Sequence, residues 1–216
     1  MNFLIVTGGH LDEAFVKDLI KKEAFDCLVA ADSGMHFFYS NNFMPDIVLG
    51  DFDSALKEEV AFYEGQQSVE LIRLNPIKDD TDTEYAIRYA IKKGAKNITI
   101  VGATGTRLDH VMGNIYLLGI GIEEQVNIQI LDKHNRLRMF NKSFIIEKAK
   151  QFGNYVSLLP FGGKVKGITI KGMKYLLENY DMGGFNSLGI SNEIVDDVAE
   201  ISFESGYLLV VESKDN

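Results

Sequence analysis

Short apolar runs alternate with longer amphipathic stretches through the first two thirds of the chain, and this alternation most narrows the fold. Residues 3–6, 27–31, 47–49, 69–74, 98–101 and 126–131 read as strands, most of them continuously apolar, as expected when both faces are buried. Between them, residues 11–24 carry Leu11, Phe15, Val16, Leu19 and Ile20 at helical spacing. Residues 82–93 put Tyr85, Ala86, Tyr89 and Ala90 on one helical face, and a further helix is predicted from Leu108. Strands alternating with helices predict a mainly parallel α/β sheet, whose ligands sit beyond the carboxyl ends of its strands.

After Asp132 the texture changes. Strand-like runs follow at residues 136–140, 144–146, 155–159, 165–170, 199–203 and 207–211, separated by Gly, Asn, Ser or Lys turns. Only residues 173–177 are ambiguous with helix. Short strands at this spacing predict an antiparallel β-sandwich. The expected organisation is therefore an α/β domain over 1–135 and an all-β sandwich domain over 136–216, without internal repeats or a low-complexity linker.

Acidic residues outnumber basic ones by 31 to 22, a formal net charge of −9. Nucleic acid and anionic membranes both demand a basic face to displace counterions, so neither is an expected partner. No apolar run approaches the ~18 residues of a spanning helix, and no basic segment precedes an apolar one at the N-terminus. Cys27 is the single cysteine, which rules out an internal disulfide and a multi-cysteine metal site. The expectation is a cytoplasmic globular protein.

Four polar motifs directly follow predicted strands: Asp32-Ser33-Gly34, Gly50-Asp51-Phe52-Asp53-Ser54, the run from Lys78 to Glu84, and the run from Gly102 to His110. Together they line one rim of the predicted sheet. Asp51 and Asp53 are two apart, so on an extended segment their carboxylates share a face. Oxygen ligands so arranged suit Mg²⁺, which keeps several waters and shares its coordination with substrate phosphates. Asp82 is an expected further ligand, with Asp79 and Asp80 left open; each also stands where helix-capping acids stand. Thr7-Gly8-Gly9-His10 and Gly102-Ala103-Thr104-Gly105 offer backbone N–H groups to phosphate, although the first reads equally as a plain turn; Arg107 offers either a planar fork suited to phosphate oxygens or a structural cation that neutralises neighbouring aspartates.

This ordered set, with Pro45-Asp46 before the second motif and Gly113-Asn114 and Gly189-Ile190-Ser191-Asn192 after the last, resembles the thiamine pyrophosphokinase (thiamine diphosphokinase) family from Phe3 to about Val211. The resemblance implies an α/β domain followed by a β-sandwich. It further implies a Mg²⁺-dependent homodimer that moves a pyrophosphoryl group from ATP to the thiamine hydroxyl and releases AMP. It places Asp51, Asp53 and Asp82 at the metal, and Asp32, Ser33, Gly34, Lys78, Asp79, Thr83 and Arg107 at ATP. Asp109 would meet the aminopyrimidine of thiamine, and Ser191 and Asn192 would join it from the sandwich domain at the subunit interface. Some members stack thiamine on a Trp; this chain has none, which leaves Tyr207 and Phe185 as available aromatics.

Three other readings compete. Asp51-Phe52-Asp53-Ser54 matches the nucleophile loop of haloacid-dehalogenase-like phosphatases, although that loop normally follows the first strand of its domain. A pyrophosphokinase acting on another heterocyclic alcohol, such as a pterin, would share the ATP site. A nucleotide-sensing module would bind ATP without turnover.

Overall fold

The computed structural model describes residues 1–53, 55–75, 77, 79–184 and 186–215. Ser54, Lys78 and Phe185, which entered the reading above, lie outside the described residues. The chain divides into two compact units, 1–133 and 134–216.

In the first unit, β1 (Asn2–Val6), β2 (Cys27–Ala31), β3 (Ile47–Gly50), β4 (Glu70–Arg73), β5 (Asn97–Val101) and β6 (Asn127–Leu131) pair in the order β4-β3-β2-β1-β5-β6, all parallel. Phe3, Leu4, Ile5, Val6, Val29, Val48, Leu49, Ile98 and Ile100 are all buried, as continuous apolar strands in a two-sided sheet must be. The helices are α1 (Glu13–Lys22), α2 (Met35–Ser40), α3 (Lys57–Glu64), α4 (Asp82–Lys92) and α5 (Leu108–Glu123). The chain steps outward from β1 to β4 and then returns to β5 beside β1. With right-handed crossovers, α1 to α3 cover one face of the sheet, and α4 and α5 the other. The strand order reverses at β1 and β5, the place where open α/β sheets receive ligands.

Helix α1 starts at Asp12, whose carboxylate accepts from the Phe15 N–H at 2.9 Å, and ends with Lys21 and Lys22. Helices α2 and α3 went unread in the sequence. They are only 6 and 8 residues long, too short for a clear apolar stripe, and tertiary contacts hold them. Phe37 and Phe38 of α2 are buried, and the buried Tyr63 of α3 donates its hydroxyl to the Met35 carbonyl at 3.2 Å.

The second unit contains β7 (Asn135–Phe140), β8 (Phe144–Glu147), β9 (Tyr155–Lys171), β10 (Leu177–Met182), β11 (Val198–Ser202) and β12 (Ser205–Ser213). All pairings are antiparallel: β12 lies between β7 and the first half of β9, while the second half of β9 pairs with β10 and β11, and β11 with β8. The two runs read separately at 155–159 and 165–170 are thus one strand passing between two sheets. Pro160 and Gly162-Gly163 mark a bend within it, with Gly162 and Gly167 at φ of 68° and 62°. Residues 173–177 are not helical. Val156, Leu158, Leu208 and Val210 from one sheet share a core with Ile168, Ile170, Ala199 and Ile201 from the other, so the unit is a sandwich.

Candidate active site

The site begins where β2 and β3 end. Gly34 is buried, and a Cβ there would lie 2.1 Å from the Val6 carbonyl oxygen. Only glycine lets the Asp32–Gly34 turn settle on the end of β1, a packing role compatible with the place at the nucleotide that the sequence reading gave Gly34. Gly50 does the same between neighbouring strands: its Cβ would lie 3.0 Å from the Asp32 Cα. This close approach sets Asp51 beside Asp32. Asp32 itself takes φ of 49°, a left-handed conformation that Asp tolerates better than most residues.

One carboxylate oxygen each from Asp32, Asp51 and Asp82 lie within 4.8 Å of one another, all three side chains being partly buried. Asp82 opens α4 from the opposite face, and Thr81 caps that helix through its hydroxyl, 3.2 Å from the Glu84 N–H. Thr81 is thus the N-cap, and Asp82 stands in the first turn, where its charge also meets the helix dipole. Three such carboxylates are a hard-oxygen donor set, which fits Mg²⁺, and their mutual repulsion favours a cation among them.

Asp53 is not in this group. Phe52 adopts φ of 62°, so residues 51–53 turn instead of extending, and the expected shared face does not exist. A buried aromatic residue held left-handed is costly and persists only where its surroundings enforce it. Here the Phe52 ring is buried beneath the Arg73 guanidinium, 5.4 Å from its centroid. Asp53 is exposed, and its backbone N–H donates to Asp51 Oδ1 at 3.1 Å.

Two of the backbone donors in the first glycine loop are used within the fold. Gly9 N–H donates to the Gly102 carbonyl at 2.8 Å and His10 N–H to the Thr104 carbonyl at 2.7 Å. The loops after β1 and β5 are zipped to each other, and those donors are consumed. Asn114, on α5, donates to the Ala103 carbonyl at 2.8 Å, and Thr104 donates to Asp132 at 3.1 Å. Asn114 thus fixes the loop that leads to Arg107, a role that the sequence alone did not assign.

Arg107 and Asp109 are exposed and bound to each other, Nε at 3.2 Å and one Nη at 2.6 Å from the two carboxylate oxygens. This hydrogen bonding by Arg107 holds the Asp109 carboxyl down at about 2. Asp79 is exposed, while Ser33 and Thr83 are partly buried; Ser33 Oγ lies 3.4 Å from Asp32 Oδ2.

In the second unit, Ser191 is exposed at φ of 54°, and its N–H donates to Ser157 Oγ at 3.0 Å. Asn192 is buried, and its amide is spent within the fold. Its Oδ1 accepts from the Tyr175 and Glu193 N–H groups at 3.0 and 2.9 Å, and its Nδ2 donates to the Tyr175 carbonyl at 2.7 Å. Asn192 thus supports a turn, a role beside the thiamine contact that the sequence reading gave it. Tyr207 is exposed.

Fold and site together define a class: an open parallel α/β unit with a carboxylate triad at its carboxyl edge, followed by an antiparallel β-sandwich. Residues 16–130 match the model of the thiamin pyrophosphokinase catalytic domain, and residues 143–208 that of the thiamin pyrophosphokinase vitamin B1 binding domain. The chain is 33% identical over 188 residues to a thiamine pyrophosphokinase of Bacillus subtilis, covering 87% of each. A crystal structure of thiamine pyrophosphokinase from B. subtilis superimposes with a TM-score of 0.88 at 29% identity, covering 100% of both chains. A thiamin pyrophosphokinase family protein from Enterococcus faecalis gives 0.84 at 30% identity, again with 100% of both chains covered. The chain belongs to the thiamine pyrophosphokinase family.

Proposed function

We propose that this protein is a thiamine diphosphokinase, transferring the pyrophosphoryl group of ATP to the hydroxyethyl oxygen of thiamine and giving thiamine diphosphate and AMP. The observation that carries the reading is the family match across both units, with the Asp32–Asp51–Asp82 triad at the carboxyl edge of the sheet. In the reaction the thiamine oxygen attacks the β-phosphorus and the bond to the α,β-bridging oxygen breaks. AMP leaves with that electron pair, and the hydroxyl proton passes to a carboxylate of the rim. Such chemistry is mostly positioning and electrostatics.

Asp32, Asp51 and Asp82 hold Mg²⁺ in this reading. Bound there, the ion supplies positive charge against the phosphate oxygens. Arg107 turns from Asp109 to a phosphate group of ATP, with Ser33, Asp79, Thr83 and Lys78 along the nucleotide. Asp109 is thereby released to accept from the thiamine aminopyrimidine, with Ser191 contributing from the sandwich of a partner subunit in a homodimer. Leu108, Met112 and Tyr116 support the dimer: they are 73, 51 and 62% exposed and lie one helical turn apart on the helix that carries Asp109. A cytoplasmic enzyme suits the ATP requirement and the free, buried Cys27.

The phosphatase reading loses ground because Asp51 follows β3, the third strand in sequence. The decisive experiment incubates the protein with ATP, Mg²⁺ and thiamine. Stoichiometric AMP and thiamine diphosphate are expected; phosphate release without thiamine diphosphate would overturn the reading.

A further inference from the structure

Two carboxylates of the triad are each followed in the chain by a short helix, and a buried polar tie joins those helices. The Asp32–Gly34 turn runs into α2 without a break, so His36 stands four residues after Asp32. Helix α3 follows Asp51 and carries Glu59 in its first turn. His36 Nδ1 lies 2.6 Å from Glu59 Oε1, and Ser40 Oγ steadies the ring from 3.2 Å at Nε2. One turn further along α3, Tyr63 donates its hydroxyl to the Met35 carbonyl at 3.2 Å. Two adjacent residues of α2 are thus gripped by Glu59 and Tyr63, which are only 2% and 1% exposed.

Neither helix holds its place unaided. At 6 and 8 residues both are well below the length at which a helix is stable alone. Tertiary contacts set where they sit, and the carboxylates joined to them follow. Asp32 makes a further demand, since its left-handed φ of 49° persists only where the surroundings enforce it. Glu59 is a costly side chain to bury, and an apolar residue of similar volume would pack at least as stably. What the Glu59–His36 pair supplies instead is a directed bond of fixed length between two elements. Partners outside a metal's own ligands act in this way, by fixing the ligands' orientation.

We propose that Glu59 and His36 are positioning residues for the metal centre. Their bond locks α2 to α3 and so holds Asp32 and Asp51 at the separation that a cation requires. The inference rests on the reading of Asp32, Asp51 and Asp82 as Mg²⁺ ligands.

Mn²⁺ takes the same oxygen ligands as Mg²⁺ and tests the proposal without turnover. Free Mn²⁺ is read by electron paramagnetic resonance during titration of the protein, with Tm measured on the same metal-free samples. His36→Ala should weaken Mn²⁺ binding about tenfold, as loss of a partner outside the ligand set does. Charge alone predicts no such loss, because removing the imidazole takes no negative charge from the site. His36→Asn, which returns an amide N–H near the place of Nδ1, should restore most of the affinity. Glu59→Gln still accepts from Nδ1 and should bind Mn²⁺ nearly as wild type does. A role in stability alone would lower the Tm of His36→Ala and leave its Mn²⁺ affinity unchanged, and that result overturns the proposal. So does a loss in His36→Asn or Glu59→Gln as deep as that in His36→Ala. If His36→Ala does not fold, Tyr63→Phe deletes only the second tie and must weaken Mn²⁺ binding; unchanged binding there overturns the proposal equally. A wild-type protein that binds no Mn²⁺, or binds it regardless of Asp51→Asn, overturns the metal reading and this inference with it.

Discussion

Arg107 clasps Asp109 through Nε and one Nη, so the cation read as a phosphate ligand and the anion read as a thiamine ligand neutralise each other. The pair is exposed, and two ligands of opposite charge can separate it at little cost. Asp109→Ala should therefore lower kcat/KM for thiamine by roughly 10- to 150-fold, the range for a charge-assisted hydrogen bond. ATP affinity should hold or improve, because Arg107 is no longer occupied. Equal losses for both substrates would refute the division of labour.

The same pair predicts a titration. Arg107 holds the Asp109 carboxyl at about 2, below its ordinary 3.8. The pair's small contribution to stability is thus fully present above pH 3.8 and fades as pH falls toward 2. In Arg107→Ala the Asp109 carboxyl should titrate close to 3.8. Carboxyl-carbon NMR of both proteins reads this directly, and an unshifted titration would show that some other group depresses Asp109.

Asp32, Asp51 and Asp82 crowd three carboxylates together, while Asp53 stands outside. Replacing any of the three by Asn should nearly abolish turnover and raise the Mg²⁺ requirement. The metal-free fold should keep its melting temperature or gain, since mutual repulsion is relieved. Asp53→Asn should be much milder, retaining turnover at saturating Mg²⁺. Activity measured across a Mg²⁺ series separates these outcomes, and an Asp53→Asn loss as deep as that of Asp51→Asn would return Asp53 to the metal.

The contrast between Asp53 and Asp32 shows how far a sequence can be read. Continuous apolar strands announce a parallel sheet because burial on both faces leaves them no polar alternation, and the acids that follow them mark its carboxyl edge. Which acids meet depends on backbone placement. The left-handed Phe52 redirects Asp53, and the contact of Gly50 with Asp32 joins residues far apart in sequence. Neither effect has a local signature. Asn192 and Gly34 have the same lesson: both stand in site motifs, and both also hold the backbone in place through contacts that spacing does not reveal.

Asn192→Ala should accordingly behave as a stability variant. It removes the hydrogen bonds to the Tyr175 N–H and carbonyl, which are part-buried, at about 0.5–1.5 kcal/mol for each bond. For a chain of this length each kcal/mol lowers Tm by about 2–4 °C. Ser191→Ala leaves the turn intact and should affect thiamine use without moving Tm. The reverse pattern, a stable Asn192→Ala protein with a specific thiamine defect, would restore Asn192 as a direct contact.

The last expectation concerns assembly. Leu108, Met112 and Tyr116 form an exposed apolar stripe on α5, and Asp109 begins beside it. An exposed apolar stripe of this kind costs free energy in water, and a thiamine site shared between subunits requires the first turn of α5 to approach a partner. Met112→Lys places a charge in the middle of the stripe without touching the sheet, since Met112 is 51% exposed. Light scattering is expected to report a dimer for the wild type and a monomer for the variant, with Tm measured on the same sample to exclude unfolding. Thiamine turnover should fall with the dimer fraction and recover at high protein concentration, while ATP binding stays near wild type. A Met112→Lys protein that is monomeric at every concentration yet fully active would show that each subunit completes its own thiamine site. One that remains a dimer would move the interface off this helix.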